Sequence, residues 1–244
     1  MKGITRFALR LAPGLLAMSM VLPRGMCGAQ EVGTPVSTPA GDGSSSVFAP
    51  SGWLEVITPI QDRIDLKVFG FYIGELDVPT AQVDVTVRAT KFLSITPSYM
   101  YYSVPASGLN KLAPRPVFKD SYHENQFRID GTLTFSIGKL ELANRNMYVR
   151  RFRPAPADDM NRYRGRIWAG YPVAVMGNVW KPFAFYEAFY DAGGAGWNKD
   201  RLSGGVTLPL VKNVWFQPSY MFEKSDGLKD VNYLLFGLVI RAKP

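Results

Sequence analysis

The stretch Phe127–Ile137, FRIDGTLTFSI, decides the fold class of this chain. Its odd-numbered positions are apolar or glycine, and its even-numbered positions are Arg, Asp, Thr or Ser. A repeat of two residues is typical of a pleated strand, in which successive side chains point to opposite faces. One face of this strand therefore suits apolar surroundings, and the other suits water or polar partners.

Segments of the same kind follow one another from Trp53 to the end of the chain. Aromatic and β-branched residues dominate them, as strands prefer, and no window of comparable length has the 3.6-residue period of a helix. The candidate strands are 53–60, 63–73, 81–90, 92–103, 122–137, 139–152, 161–172, 182–191, 200–209, 213–224 and 230–242. The pattern predicts an all-β fold built as a single antiparallel up-and-down transmembrane β-barrel.

The N-terminal region has the features of a secretory signal. Basic residues precede an apolar stretch, Leu11–Leu22, and small residues at Gly28 and Ala29 suit cleavage after Ala29. A lipoprotein signal ending at Cys27 is the alternative. We predict a signal peptide at 1–29, a disordered leader rich in Gly, Ser, Thr and Pro at 30–46, and one barrel domain at 47–244.

Net charge and cysteine content narrow the class of protein. The chain has a net charge of +8, but basic residues of the signal account for part of it. The remaining charge is scattered, so nucleic acid is not an expected partner. The one cysteine lies in the predicted signal, so cleavage after Ala29 would leave no cysteine, and an oxidising compartment is neither indicated nor excluded. No later apolar run reaches the length of about 18 residues that a transmembrane helix needs.

The connections between candidate strands alternate in length. Short turns such as Gly138 alternate with longer segments such as Pro105–Ser121 and Ala192–Lys199. Outer-membrane barrels have short periplasmic turns and longer extracellular loops. By that rule the first and last candidate strands both run toward the periplasm. Because bacterial barrels have even strand numbers, we expect twelve strands, with the twelfth near Ser46–Ser51, or ten if the first two candidates are one.

The polar face of several strands is strongly charged. An Arg facing lipid at mid-membrane would cost about 2–4 kcal/mol, so we expect these residues to face the lumen and to pair across strands. The predicted lumen charge network consists of Glu124, Arg128, Asp130, Glu141, Arg145, Arg162, Arg164, Arg166, Glu187 and Arg201. Its role is either filling of a narrow lumen or a polar path for a solute.

Glu187 is the most unusual member of the network, because the surrounding stretch Phe183–Tyr190 is otherwise aromatic or Ala. A buried carboxylate needs a partner, so we predict a contact with Arg201 or with one of Arg162, Arg164 and Arg166. Glu223 is expected near a loop. Two prolines, Pro97 and Pro218, lie on the apolar faces of their strands and suggest bulges there.

A series of longer motifs carries a family resemblance. They are Glu124–Arg128, Leu142–Phe152, Asn161–Arg164, Trp180–Tyr190, Asn198–Leu202, Lys212–Trp215 and Pro218–Phe222. In order and spacing they resemble the family called domain of unknown function 2490, a group of bacterial outer-membrane barrels. The resemblance implies a barrel in the outer membrane of a Gram-negative bacterium, and it implies no activity.

The functional prediction is therefore a porin-like outer-membrane barrel, either a structural shell or a narrow channel with a largely filled lumen. The expected partners are outer-membrane lipid and the barrel-insertion machinery. An outer-membrane lipid hydrolase would need a Ser–His pair, for which only Ser121 and His123 are placed; no enzyme, cofactor or metal is predicted. The alternative is a soluble periplasmic β-barrel that binds an apolar ligand, with the charged face outward.

Overall fold

The alternating segments form strands in this computed structural model, which describes residues 46–115, 119–154, 159–194 and 196–243. The elements are β1 (Val47–Gln61), β2 (Ile64–Ile73), β3 (Val78–Arg88), β4 (Leu93–Val104), α1 (Ala106–Leu112), β5 (Tyr122–Ile137), β6 (Leu140–Phe152), β7 (Met160–Gly170), β8 (Val173–Val175), β9 (Asn178–Ala192), β10 (Gly196–Val211), β11 (Val214–Ser225) and β12 (Val231–Arg241). The all-β prediction is confirmed. The predicted signal peptide, and the predicted leader up to residue 45, lie outside the described residues.

Eleven of the described strands form a closed wall. Each pairs with its neighbours in the order β1 to β7 and then β9 to β12, and β10 pairs with both β9 and β11. The wall closes where β1 pairs with β12, from Val47 beside Val231 to Ile57 beside Arg241. The short strand β8 pairs with β9 alone. Closure leaves no long open edge in the wall.

The closing pair corrects the expected strand arrangement. Ser46–Ser51 is not a separate strand, because residues from Val47 onward belong to the long strand β1. The twelfth strand is instead β8, outside the wall. The alternation of connections predicts that the first and last strands run in the same direction. A wall with an odd number of strands satisfies this prediction, because β1 and β12 then run in the same direction. They pair in parallel, and the other wall strands pair antiparallel.

The two faces of the wall differ as the strand pattern predicts. Large apolar side chains on the outer face are 42–58% exposed, among them Leu54, Val68, Val83, Ile129, Leu202 and Phe236. The inner face carries most of the charged residues. Two asparagines interrupt the outer face: Asn146 donates to Asn144 Oδ1 at 2.6 Å and accepts from Tyr163. The wall therefore presents an apolar band outward and charge inward.

Tyrosines ring the outer face toward the end of the barrel that has the longer connections, here called the loop end. Their hydroxyls donate to polar side chains that lie closer to that end. The pairs are Tyr72–Asp77 at 2.7 Å, Tyr99–Asn125 at 2.6 Å, Tyr148–Asn161 at 2.8 Å, Tyr186–Asp200 at 2.5 Å and Tyr220–Asn232. An apolar ring with a polar tip suits the boundary between hydrocarbon and water.

The helix α1 closes part of the loop end and was not expected from the sequence. Leu112 packs against two apolar clusters inside the barrel, one around Leu76 and one around Tyr233. Gly108 lies so close to the Leu76 carbonyl that an added Cβ would overlap it. Lys111 donates to the Glu75 carbonyl at 2.7 Å. No helix in the described part of the chain is long and apolar enough to cross a membrane.

The prolines interrupt the ladders without changing their register, so the expected bulges are not found there. Pairs are absent beside Pro97 and Pro218, yet the register on either side is the same. The described ladders shift instead near Pro59, Trp197 and Pro209. Proline lacks only its own donor, and the wall tolerates that loss without an inserted residue.

Candidate functional site in the barrel lumen

The inner face encloses a cavity of about 880 Å³. The side chains that line this cavity are mainly apolar on one side and mainly charged on the other. Apolar and neutral side chains from β1 to β4 and from α1 line one part, and side chains from β5 to β11 contribute most of the charges. The short-turn end of the lumen is the more exposed one, because inward positions such as Thr134 and Ser136 are exposed there. The loop end is closed beside α1, where Leu76 and Ala113 are buried.

Glu187 lies at the centre of the charged part and is fully buried. Arg145 Nη2 donates to Glu187 Oε1 at 2.9 Å, and Arg164 Nη2 lies 3.0 Å from both carboxylate oxygens. Arg166 forms a two-pronged contact at 3.2 and 3.1 Å. Arg201 Nη1 is 3.6 Å from Glu187 Oε2. These four arginines around one carboxylate are called the arginine cluster below.

Strand register explains why the cluster forms. Thr132, Arg145, Arg166, Glu187, Arg201 and Glu223 are successive cross-strand partners on β5, β6, β7, β9, β10 and β11. Side chains in one such row point to the same face of the sheet. Arg145 and Arg166 are direct neighbours of like charge, an arrangement that destabilises a sheet unless an anion lies between them. Glu187 supplies that anion.

Three further carboxylates hold ion pairs on the same wall, and one of them, Glu223, shares Arg201 with Glu187. Glu124 accepts two bonds of 2.7 Å from Arg151 and also bonds Tyr122 and Gln126. Asp191 pairs with Arg162 at Nε and Nη2, the latter at 2.7 Å. Glu223 accepts from Lys199 at 2.8 Å and from Arg201 at 2.5 Å. Glu223 lies two residues before the end of β11, near a loop as expected, and it is also buried in the lumen.

Aromatic rings separate the crowded cations. The Phe189 ring lies 4.7 Å from the Arg164 guanidinium carbon and 4.9 Å from that of Arg201, measured to the ring centroid. The Phe185 ring lies 4.3 Å from Arg166. A cation over an aromatic face gains about 0.5–2 kcal/mol, more where water is excluded. The aromatic side chains of β9 thus offset part of the repulsion among the arginines that Glu187 alone does not neutralise.

The ten residues of the predicted lumen charge network all lie on the inner face, but they form several sites. The arginine cluster with Glu187 unites five of them. Arg162 contacts Asp191 and not Glu187, and Glu141 pairs with Lys181 at 2.9 Å near the short-turn end. Arg128 bonds Gln126 and Gln82, and Asp130 accepts from Thr132 at 3.1 Å. Glu124 pairs with Arg151.

Sequence reasoning omitted four inward charges that matter here: Arg151, Asp191, Lys199 and Glu223. Each lies an even number of residues from an inward-facing residue on the same strand. The alternation of faces was therefore sufficient to predict that it points inward. Lys199 lies near the start of β10, outside the candidate strand 200–209, whereas Asp191 lay at the end of the candidate strand 182–191.

The histidine of the Ser121–His123 pair contacts a tyrosine on the outside of the wall. His123 lies exposed on the outer face, where its Nδ1 is 3.2 Å from the Tyr101 hydroxyl and its ring stacks on Tyr101. Within the described residues, no group of three His, Cys, Asp or Glu side chains could hold a metal ion.

Comparisons with known proteins agree with the family resemblance. A family model described as a protein of unknown function, DUF2490, matches residues 58–233. No curated protein matches the chain significantly. Among solved structures, the beta domain of the Bordetella autotransporter Brka is similar, with 15% sequence identity and a TM-score of 0.42; the alignment covers 69% of this chain and 78% of that chain.

Proposed function

The chain belongs to the DUF2490 family, and from that premise we propose that it is an outer-membrane β-barrel with a narrow lumen that side chains largely fill. The observation that carries the proposal is the contrast between the two faces of the wall. An apolar band with a tyrosine ring faces outward, and a network of ion pairs faces inward. Exposure of an apolar face around the whole barrel is unfavourable in water and favourable only when hydrocarbon surrounds the barrel.

The soluble alternative requires the opposite arrangement. A periplasmic barrel that binds an apolar ligand would turn its apolar face inward and its Arg and Glu side chains toward water. Here Arg164 and Glu187 are buried inside, whereas Leu202 and Phe236 are exposed. These positions favour the membrane protein. The proposal also includes cleavage of the signal peptide, contacts with outer-membrane lipid and the insertion machinery, and no enzymatic activity.

Fractionation tests the location. The protein should be recovered in the outer-membrane fraction and should resist extraction by carbonate or urea. Recovery in the periplasmic supernatant would overturn the proposal and favour the soluble alternative.

A planar-bilayer recording tests the lumen. Because α1 closes part of the loop end and the arginine cluster narrows the charged part, we expect little or no steady conductance and no passage of sugar-sized solutes. Deletion of Gln30–Ser46 serves as a control for blockage by the leader. Large, stable steps like those of porins, with or without that segment, would contradict a filled lumen.

A further inference from the structure

The arginine cluster has more positive charge than its carboxylates neutralise. Five cationic groups, the four arginines and Lys199, share two carboxylates, Glu187 and Glu223, which leaves a net charge of +3. Glu223 already accepts from Lys199 and Arg201, and within the described residues no ion pair joins it to Arg145, Arg164 or Arg166. Four other carboxylates line the cavity: Asp84 and Asp130, which accept bonds from Gln82 and Thr132, and Glu55 and Asp226.

A sixth cation, Arg128, adjoins the cluster and bonds amide oxygens instead of a carboxylate. Arg128 is buried, and it donates to the amide oxygens of Gln126 and Gln82 at 2.7–2.8 Å. Among the described residues, none of its ion-pair distances to an Asp or Glu is within 4 Å. Its charge therefore adds to the positive potential that Arg145 experiences from one side, while Arg166 adds to it from the other.

Hydrogen-bond donors of the cluster remain unused. A guanidinium has five N–H groups in a fixed plane. Within the described part of the chain, Arg145 bonds Glu187 through Nη2 alone, and Arg164 Nε is buried without a partner. Arg145, Arg166 and Arg201 keep 24–25% of their side-chain surface exposed, and all three line the cavity. Oriented donors thus meet an open volume beside an excess of positive charge.

We infer that the lumen binds a small oxyanion, a phosphate or a carboxylate, on the cavity-facing guanidinium groups of Arg145, Arg166 and Arg201. Planar guanidinium groups match the oxygens of such anions in pairs, and the resulting bonds are among the stronger ones in proteins. The bound anion neutralises charge that Glu187 cannot neutralise alone. Because the lumen is the more exposed at its short-turn end, the anion reaches the site from that end.

This inference deepens the proposed function but does not depend on conduction. A barrel that passes no sugar-sized solute can hold an ion in a lumen whose loop end is partly closed by α1. The proposed membrane location decides only from which compartment an anion enters. If the short turns are periplasmic, the site opens to the periplasm.

Calorimetric titration of the folded, purified barrel with inorganic phosphate tests the site, with sodium acetate and sodium chloride as parallel titrants at constant ionic strength. We expect saturable binding of one phosphate and weaker saturable binding of acetate, because both offer oxygens to a guanidinium plane. Chloride should give no saturable heat. Equal heats for all three salts would indicate simple charge screening and would overturn the site.

Variants identify the residues. Arg145→Gln should weaken phosphate binding about tenfold, the equivalent of one lost charge-assisted bond. Glu187 keeps Arg164, Arg166 and Arg201, so the barrel should still fold, which its gel shift on heating verifies. Arg166→Lys is the second variant; it keeps the charge, loses the paired donors and should also bind more weakly.

The matched control is Arg150→Gln. Arg150 lies on the same strand as Arg145 but faces outward at the rim, where it pairs with Asp159. Its removal should leave phosphate affinity unchanged. Equal affinity in Arg145→Gln, Arg166→Lys and the unmodified protein would refute the assignment. A protein that binds phosphate but fractionates as soluble would refute the location and leave the site intact, so the two failures are distinguishable.

Discussion

Substitution of Glu187 is the sharpest test of the charged lumen. Glu187→Gln removes the one carboxylate that Arg145, Arg164 and Arg166 share, and it changes the side-chain volume very little. The glutamine oxygen can still accept a hydrogen bond, but its NH2 group then faces guanidinium donors. Three arginines on β6 and β7 are left without a counterion, and Arg145 directly opposes Arg166.

The expected magnitude follows from the exposure of each arginine. Arg145 and Arg166 are about a quarter exposed and can recover part of their hydration from the cavity. Arg164 is only 10% exposed and cannot. Removal of one partner from a buried ion pair typically costs about 3–5 kcal/mol, and we expect a loss in this range for the free energy of unfolding.

The assay is urea unfolding of the barrel refolded into lipid, followed by tryptophan fluorescence. Glu141→Gln is the matched control, because Glu141 is a lumen carboxylate paired with Lys181 but 39% exposed. It should cost about 0–1 kcal/mol, as exposed pairs do. Equal losses for the two variants would show that burial does not govern the network. Glu223 is unsuitable as a control, since it is buried and has two cationic partners.

Three further predictions concern the faces and the helix. Leu133→Arg, on the outer face, should lose about 2–4 kcal/mol of bilayer folding free energy, whereas Thr134→Arg, on the inner face, should be tolerated; equal sensitivity would contradict the orientation. Gly108→Ala should loosen α1 because the new Cβ overlaps the Leu76 carbonyl, and faster protease cleavage near α1, absent in Ser107→Ala, is the measurement. In a background without the natural cysteine, Thr134→Cys should react with a water-soluble maleimide and Leu112→Cys should not; the reverse result would mean that the loop end is the open one.

Local alternation was sufficient to predict much of this structure. Phe127–Ile137 lies within β5, and the residues of the predicted charge network share the inner face because strand parity alone determines it. The family resemblance is likewise confirmed by the match over residues 58–233. Both depend on short-range patterns that survive in a single sequence.

Partners inside the lumen could not be predicted in the same way. Arg145 reaches Glu187 across β7, a distance of two strand spacings, or about 9.5 Å. That contact depends on the register of three strands, which places Arg145, Arg166 and Glu187 in one row. Sequence alternation gives the face of a residue but not its row.

The helix α1 and the closing pair escaped prediction for different reasons. A seven-residue helix without a capping side chain has no periodicity to detect, and its packing against Leu76 stabilises it. The parallel pair of β1 and β12 follows from an odd number of wall strands. The expectation of an even number of strands came from other bacterial barrels. The lengths of the connections in this chain had already implied an odd number of wall strands.

The division of the lumen gives the arginine cluster its chemical significance. Inward positions on β12 and on β1 to β4 are largely apolar toward the loop end, where α1 covers them, and those on β5 to β11 carry the arginines. Apolar side chains cannot hydrate an anion or compete for it, so the guanidinium groups are the strongest partners that an anion meets in the cavity. An oxyanion in the lumen therefore binds on the side formed by β5 to β11. Loss of a single arginine from that side should affect the binding of anions far more than it affects the fold.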